Sequence, residues 1–213
     1  MLIVVEGPSA VGKTTLLELV PAGRVVGEEV LQVPPGTGSL QALPYGVESS
    51  ARRWERLLET EARHGRAYAD SDPLKLYYDF ARVAVGELDR GVYDAGWRLM
   101  ARAMDERRVG FADRVVFLYA SHGTLAKRGA ADATRRRGKF ALHVRLAPAM
   151  EAYYAALEQL RPGSVRWLDA EGDPLDEATP ALEGPEDSTR DRYDVRALER
   201  LKQDLDEWLA EKL

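Results

Sequence analysis

Apolar and polar residues alternate along the chain in blocks that predict short strands separated by helices. Continuous apolar runs typical of buried strands occupy residues 2–6, 24–30, 66–70, 114–120 and 165–170. Apolar residues at helical spacing predict helices over residues 13–20, 48–64, 72–88, 94–108 and 194–212. Because strands alternate with helices, we predict an α/β fold with a five-stranded parallel sheet flanked by helices.

Two local signals set the boundaries of the predicted helices. Residues 31–47 are rich in Gly and Pro, which favour turns, so this segment is predicted to be an irregular loop. Asp72 and Pro73 have the arrangement of an N-cap followed by the first helical residue. They predict that a helix begins at this point.

Length and composition limit the classes of protein that fit. The 213 residues are enough for a single α/β domain over residues 1–213, with room for a small lid. The net charge of −5 predicts no general attraction to nucleic acid or membranes, and the absence of cysteine excludes thiol catalysis and disulfides. The apolar N-terminus is too short to span a bilayer and has no basic flank, so we predict a cytoplasmic protein.

The first strand runs directly into the sequence GPSAVGKT, which fulfils the Walker A, or P-loop, pattern G-x-x-x-x-G-K-[ST]. In such loops backbone N–H groups point at phosphate oxygens, the lysine reaches the β and γ phosphates, and the next hydroxyl binds Mg²⁺. The motif predicts ATP and Mg²⁺ as cofactors, with Lys13 catalytic and Thr14 a metal ligand. The predicted nucleotide-binding residues are Gly7, Ser9, Ala10, Val11, Gly12, Lys13, Thr14 and Thr15.

Charge is unevenly distributed in the second half of the chain. Residues 127–139 hold six cations and one acid, whereas residues 169–191 hold nine acids and one arginine. Guanidinium groups on a closing segment stabilise the charge of a phosphoryl group in transfer, so the basic segment favours a lid over residues 123–140. It lacks the interleaved aromatic side chains of nucleic-acid-binding surfaces. An acidic linker is predicted over residues 170–193, before the C-terminal helix.

These features follow the order found in P-loop nucleoside and nucleotide kinases, and the chain resembles thymidylate kinases especially. The resemblance is carried by GPSAVGKTT, a strand ending in Asp70, DRVVFLYAS followed by LAKR and an arginine-rich stretch, and WLDA. It implies a P-loop kinase fold with an Arg-rich lid. It also implies catalytic lid arginines and an adenine contact, which fall on Arg128, Arg135, Arg136, Arg137 and Ala170.

The acceptor side departs from that family. Thymidylate kinases carry an arginine directly after the strand-end Asp, where it grips the acceptor's phosphate, whereas Ser71 follows Asp70 here. Acids without this arginine favour a hydroxyl acceptor, such as a nucleoside, a sugar or an antibiotic. An arginine from elsewhere leaves a nucleoside monophosphate open as acceptor, and the candidates are Arg52, Arg53 and Arg82.

Several carboxylates are candidates for the group that takes the acceptor's proton. Asp70 is the first candidate and also a metal ligand, through water. Asp72 is the next, although an Asp before Pro is equally a good helix N-cap. Glu28 and Glu29 end the second predicted strand, where deoxynucleoside kinases place their base. An aromatic acceptor pocket is expected around Tyr45, Tyr68, Tyr77 and Tyr78, whereas Trp54 from the same region falls on the buried face of its helix.

The sequence therefore predicts an ATP- and Mg²⁺-dependent kinase that phosphorylates a hydroxyl group of a small molecule. One alternative is a nucleoside monophosphate kinase of the thymidylate kinase type. Another class is a nucleotide-binding switch or a partner-regulated ATPase, but no Asn-Lys-x-Asp motif of a Ras-type GTPase is present. The expected partner is a small-molecule acceptor, without nucleic acid or membrane, and a homodimer is left open.

Overall fold

A computed structural model describes residues 1–28, 31–131, 140–172, 180–183 and 190–212 of the chain. Two groups of predicted site residues, Glu29 and Arg135–Arg137, lie outside the described residues. Of the lid predicted over 123–140, residues 123–131 lie in one helix and residue 140 begins the next, and only parts of the acidic linker are described.

The five predicted strands form one parallel sheet. They are β1 (Leu2–Glu6), β2 (Val25–Val26), β3 (Ala67–Asp70), β4 (Arg114–Tyr119) and β5 (Val165–Asp169). Their order across the sheet is β2-β3-β1-β4-β5, so β1 lies at the centre with β3 and β4 beside it. All pairings are parallel, which brings the carboxyl ends of the strands to one edge of the sheet.

Seven helices of five or more residues are described, and they accompany the strands. They are α1 (Lys13–Leu17), α2 (Ser39–His64), α3 (Leu76–Ala84), α4 (Arg90–Asp105), α5 (His122–Ala131), α6 (Phe140–Leu160) and α7 (Val195–Lys212). The sheet and its helices bury a large apolar core, in which α3 and α6 pack against each other. Among the described helices, none has the length and apolar character needed to cross a bilayer.

The prediction of a loop over residues 31–47 is wrong for residues 39–47, because α2 begins at Ser39. Pro44 lies inside this 26-residue helix and removes one backbone donor. The helix nevertheless buries a continuous face that includes Val47, Trp54 and Leu57. Burial of that face outweighs the local cost of Pro44, since packing rather than propensity supplies most helix stability in proteins.

The helix predicted to begin at Pro73 starts later, at Leu76. The Asp72 carboxylate accepts a hydrogen bond from the Leu74 amide at 3.0 Å, so it holds a turn and not the first turn of α3. Lys75, the residue before α3, has φ of +57°, a left-handed conformation that interrupts the helical path. The next helix begins earlier than predicted, because Asp89 caps the amides of Gly91 and Val92.

Helix α6 had no counterpart among the predicted elements. Its buried residues surround the helix, and they include Val144, Leu146, Ala147, Ala149, Met150, Tyr153, Tyr154 and Leu157. A helix that is apolar on most sides lacks the one-sided periodicity by which a surface helix is recognised. Helix α6 packs on α3 and reaches the site described below.

Ion pairs secure the edge of the sheet at the amino ends of the strands. Arg192 donates to Glu61 at 2.6 Å and to Asp113 at 2.5 Å. The amino group of Met1 also binds Glu61, whose pKa is lowered because these hydrogen bonds and charges outweigh the opposing effect of burial. This network ties the segment before α7 to β1, α2 and β4, and leaves the opposite edge of the sheet free for a binding site.

Candidate functional site

A cavity of about 1380 Å³ opens at the carboxyl ends of the strands. The P-loop lines one end of it, and side chains of α2, α3 and α6 line the other. All eight predicted nucleotide-binding residues in the loop, from Gly7 to Thr15, line this cavity. After the predicted donor and acceptor of the phosphoryl group, we call the P-loop end the donor end and the other the acceptor end.

Backbone geometry shapes the donor end. Gly7 has φ of +145°, and a Cβ atom at this position would lie 2.3 Å from the carbonyl oxygen of Leu118. Only glycine therefore fits where the loop leaves β1 and passes against β4. Gly12 has φ of +112° and Ala10 has φ of +71°, so the loop curls tightly before α1. Such a curl directs backbone N–H groups inward, as binding of phosphate oxygens requires.

Lys13 lies across the loop. Its Nζ atom donates to the carbonyl oxygens of Gly7 at 2.5 Å and Pro8 at 3.2 Å, and it lies 3.9 Å from Oε1 of Glu6. Burial lowers the pKa of Lys13, while the carboxylates of Glu6 and Asp70 act in the opposite direction. The ammonium group is thus placed where the phosphates of a nucleotide would contact it.

Glu6 connects the donor end to the turn after β3. Its side chain is 2% exposed, and its two carboxylate oxygens accept from the amides of Gly7 at 2.9 Å and Asp72 at 3.0 Å. One buried carboxylate therefore fixes the start of the P-loop and the β3–α3 turn together. The sequence offered no signal for this role, because Glu6 stands in an apolar run as a lone acid.

The residues at the donor end fit Mg²⁺ only in the manner of a P-loop protein. Thr14 and Asp70 line the cavity, and both were predicted as metal ligands. Among the described residues, no group of three or more His, Cys, Asp or Glu side chains is close enough to hold a metal alone. Mg²⁺ commonly takes one or two protein ligands and completes its shell with phosphate oxygens and water, so this donor set suits it.

The three described candidates for the base occupy different positions. Asp70 ends β3 and pairs in register with Val5 of β1, so it borders the P-loop directly. Glu28 follows β2, which is one strand further from β1, and it lines the cavity toward the acceptor end. Asp72 is buried and does not line the cavity. The structure thus brings Asp70 and Glu28 to the cavity and leaves Asp72 behind it.

Asp72 is held inside the protein by three polar groups. Its Oδ1 accepts from the Leu74 amide, its Oδ2 accepts from the Tyr154 hydroxyl at 3.3 Å, and its own amide donates to Glu6. Burial raises the pKa of Asp72 to about 6, although the Leu74 amide acts in the opposite direction. These contacts are those of a residue that organises the turn.

Arg53 enters from α2 and is only 2% exposed. Its Nη2 donates to the main-chain carbonyl oxygens of Asp70 and, at 3.4 Å, of Val26. These carbonyls end β3 and β2, so Arg53 ties together the two strand ends that carry Asp70 and Glu28. Its Nε and Nη1 have no partner among the described residues, and burial lowers its pKa. Arg82, another cation considered for gripping phosphate, also lines the cavity.

Glu28 forms an ion pair with Lys75, with 2.5 Å between Oε1 and Nζ. The same Nζ donates to Oγ of Ser71 at 2.8 Å, and this Oγ is 3.0 Å from the hydroxyl of Tyr77. Burial raises the pKa of Glu28, but the charge and hydrogen bond of Lys75 outweigh it, so the pKa is lowered overall. No sequence pattern points to Lys75, which lies 47 positions from Glu28.

Aromatic side chains dominate the acceptor end. Tyr45, Tyr77, Tyr78 and His143 line the cavity, and the ring centroids of Tyr78 and His143 lie 6.1 Å apart in an edge arrangement. Arg82 lies over the Tyr78 ring and pairs with Asp79 at 3.7 Å. Tyr68, also expected here, is buried and donates to the carbonyl oxygen of Leu182 instead. The remaining surface suits a planar, partly apolar molecule.

Helix α5, which falls within the segment predicted to be a lid, contacts the donor end through Arg128. Its guanidinium donates to the carbonyl oxygens of Val11 at 3.3 Å and Gly172 at 3.2 Å, so it bridges the P-loop and the segment after β5. Ala170, predicted to contact adenine, is fully buried and does not line the cavity, whereas Gly172 does. Of the predicted lid arginines, Arg128 is the one whose position is described.

Comparison of structures identifies proteins with the same architecture. A deoxyadenosine kinase from M. mycoides with bound dATP superposes with a TM-score of 0.61, at 16% identity, over 84% of this chain and 95% of that chain. The same enzyme with the products dCMP and a flexible dCDP bound superposes with a TM-score of 0.55, at 13% identity and equal coverage. No protein-family model matches the sequence, and no curated protein sequence is significantly similar. The chain therefore has the fold of the P-loop nucleoside kinases.

Proposed function

We propose that this protein is a kinase that transfers the γ-phosphoryl group of ATP, as its Mg²⁺ complex, to a hydroxyl group of a nucleoside. The observation that carries the proposal is a single cavity with a P-loop and Lys13 at one end, and carboxylates beside an aromatic pocket at the other. A switch or motor ATPase needs the donor end alone. A cavity that continues past the phosphate site into an aromatic pocket supports a second, planar substrate.

The structural neighbours support the choice of a nucleoside. Both superposed structures are of a deoxyadenosine kinase, and the acceptor end here offers Tyr45, Tyr78 and His143 to a planar base. The Asp79–Arg82 pair offers both an acceptor and donors at the same end. A nucleobase that carries both hydrogen-bond donors and acceptors on its edge would satisfy such a pair.

Each charged residue has a role in this proposal that follows from its position. Lys13 and the loop amides hold the donor phosphates, and Thr14 with Asp70 holds Mg²⁺, which neutralises phosphate charge when bound. Glu28 takes the proton of the acceptor hydroxyl. The hydroxyl oxygen then bonds to the γ-phosphorus while the bond from that phosphorus to the β–γ bridging oxygen breaks, and ADP leaves. Arg128 and the other lid arginines stabilise the transferring group.

The preference for a hydroxyl over a phosphate acceptor rests on how the cations are used. Lys75 is neutralised by Glu28, whereas Arg53 binds main-chain carbonyls through Nη2 and keeps Nε and Nη1 without a partner among the described residues. A monophosphate acceptor would bring two further negative charges beside Glu28 and Asp70, which costs free energy unless a free cation meets them. Arg53 and Arg82 favour the alternative, a nucleoside monophosphate kinase, because both line the cavity and Arg82 has a single carboxylate partner, Asp79, among the described residues.

An acceptor screen tests the proposal. The purified chain is incubated with ATP and Mg²⁺ and with single nucleosides, deoxynucleosides, nucleoside monophosphates, sugars or aminoglycosides, and ADP formation is followed. Mass spectrometry then identifies the phosphorylated product. We expect ADP formation to depend on a nucleoside and the product to be its monophosphate. ADP formation stimulated only by a macromolecule would favour a switch or a regulated ATPase instead.

A further inference from the structure

The turn between β3 and α3 holds two residues in a backbone conformation that side chains rarely adopt. Ser71 has φ of +78° and Lys75 has φ of +57°, and both line the cavity. Neither is glycine, so surrounding contacts must maintain each conformation. Of the four non-glycine residues with positive φ among the described residues, three line this cavity, which links the strain to the site.

The strained turn directs the Lys75 side chain toward Glu28. Its ammonium group lies 2.5 Å from Oε1 of Glu28 and 2.8 Å from Oγ of Ser71. Ser71 is itself fixed, because its amide donates to the Val5 carbonyl and its hydroxyl meets that of buried Tyr77. The ammonium group therefore has an anchored partner on one side and a carboxylate on the other.

Glu28 depends on Lys75 for its position. Strand β2 ends at Val26, and Glu28 lies beyond it with its side chain 48% exposed. Among the described residues, Lys75 is its one hydrogen-bond partner. The charged and titratable groups that face Glu28 are Lys75 on the turn, Arg53 on α2, Lys13 on the P-loop and Tyr78 on α3. Lys75 is the cation among them that touches the carboxylate.

We propose that Lys75 is a positioning residue that holds the Glu28 carboxylate at the acceptor end, in reach of the hydroxyl whose proton it takes. The inference rests on the proposed function, in which Glu28 is the base. Lys75 takes no part in bond making. The Glu28 side chain lies two residues beyond the short strand β2 and has many rotamers. An ion pair with a fixed partner restricts it to those rotamers that reach the acceptor hydroxyl.

A rival role for Lys75 would be direct binding of a phosphate group. The two roles predict different kinetic effects when Lys75 is replaced by a neutral residue. Loss of a phosphate ligand raises KM for the substrate that carries the phosphate. Loss of a positioning cation lowers kcat and moves the acid limb of the pH–rate profile, because Glu28 then ionises at a higher pH.

The experiment measures kcat and kcat/KM from about pH 4, below the ordinary pKa of a glutamate, to pH 9 for wild type, Lys75→Met, Lys75→Arg and Glu28→Gln. We expect Lys75→Met to lower kcat by about 10-fold or more near neutral pH and to move the acid limb to higher pH. KM for ATP should stay within about twofold of wild type, by the same division of roles. Lys75→Arg should restore both values, and Glu28→Gln should abolish the limb.

Lys202→Met is the matched control. Lys202 also bridges two acceptors, Asp94 at 2.8 Å and Asp206 at 2.6 Å, but lies on α7 away from the cavity. It should leave the profile unchanged. Circular dichroism checks folding of each variant, and Lys75→Gln replaces Lys75→Met if the latter does not fold. An active variant with neutral residue 75 and an unmoved acid limb would overturn the proposal.

A titration without substrate separates this inference from the proposed function. With ¹³C-labelled glutamate, the Glu28 carboxylate should titrate at a lower pH in wild type than in Lys75→Met. Equal titration in the two proteins would refute the role of Lys75 even if the chain is a kinase. Wild-type protein that fails with every acceptor in the screen would refute the proposed function, while the titration still decides whether Lys75 lowers the pKa of Glu28.

Discussion

The donor end and the acceptor end of the cavity are built in different ways. The donor end comes from one continuous segment, residues 7–15, and its shape is set by backbone conformation at Gly7, Ala10 and Gly12. The acceptor end is assembled from side chains of α2, α3 and α6 and from residues that follow β2 and β3. A phosphate group is recognised by main-chain amides close together in sequence, whereas a nucleoside requires side chains that only the fold brings together.

The largest loss of activity is expected from a substitution that affects the donor end alone. Lys13→Ala should lower kcat by about 10³-fold, because it removes the cation that contacts the transferring phosphoryl group. Helix α1 and the sheet should remain, since the Lys13 side chain bonds only to loop carbonyls and approaches Glu6. Steady-state ADP formation and circular dichroism are the measurements, with Lys202→Met as control. Unchanged turnover would refute the role of the P-loop in this protein.

Smaller losses of activity are expected from substitutions of Glu28 and Asp70, and they should differ in kind. Glu28→Gln should lower kcat by roughly 10²-fold without changing the Mg²⁺ requirement, because it removes the base. Asp70→Asn should raise the Mg²⁺ concentration for half-maximal rate by about 10-fold, because Asp70 borders the P-loop. Rates measured across a Mg²⁺ titration distinguish them. If Asp70→Asn lowered kcat at saturating Mg²⁺ while Glu28→Gln did not, Asp70 would be the base.

The smallest effect on activity is expected at Asp72, behind the cavity. Asp72→Asn should leave kcat within about twofold of wild type, because the side chain does not line the cavity. Its stability should change with pH. The pKa of about 6 lies above the ordinary value of 3.8, so the folded chain binds this proton more tightly and the contribution of Asp72 to stability falls as pH rises from about 4 to 6.

An asparagine has no charge, and its Oδ1 can still accept from the Leu74 amide while its Nδ2 donates to the Tyr154 hydroxyl in the reverse direction. The free energy of unfolding of Asp72→Asn should therefore exceed that of wild type at pH 8 by up to about 3 kcal/mol, and by much less at pH 4. Urea denaturation at the two pH values measures this difference. A stability difference that is the same at both pH values would show that Asp72 has an ordinary pKa. A large loss of kcat in Asp72→Asn would show that Asp72 takes part in catalysis.

The sequence alone predicted the strands and the P-loop, because both depend on neighbouring residues. Residues 39–47 were misassigned, since the Gly and Pro that suggested a loop are outweighed by burial of the α2 face. Helix α6 was missed because it is apolar on most sides.

The acceptor end was the least predictable part of the site. Arg53 was considered as a phosphate grip, but its bonds to the strand ends depend on how α2 packs. The contact of Lys75 with Glu28 depends on a left-handed residue that no local pattern indicates. Residues far apart in sequence meet only after the sheet has formed, and a single sequence carries no direct signal of such a meeting.

The central claim is that the acceptor end receives a hydroxyl group of a nucleoside. Its most direct test compares kcat/KM for each nucleoside with kcat/KM for the corresponding 5′-monophosphate, at saturating ATP and Mg²⁺. We predict that at least one nucleoside is preferred over its monophosphate by about 10-fold or more, since the monophosphate brings further negative charge beside Glu28 and Asp70. Turnover with monophosphates and none with nucleosides would contradict the claim and identify a nucleoside monophosphate kinase.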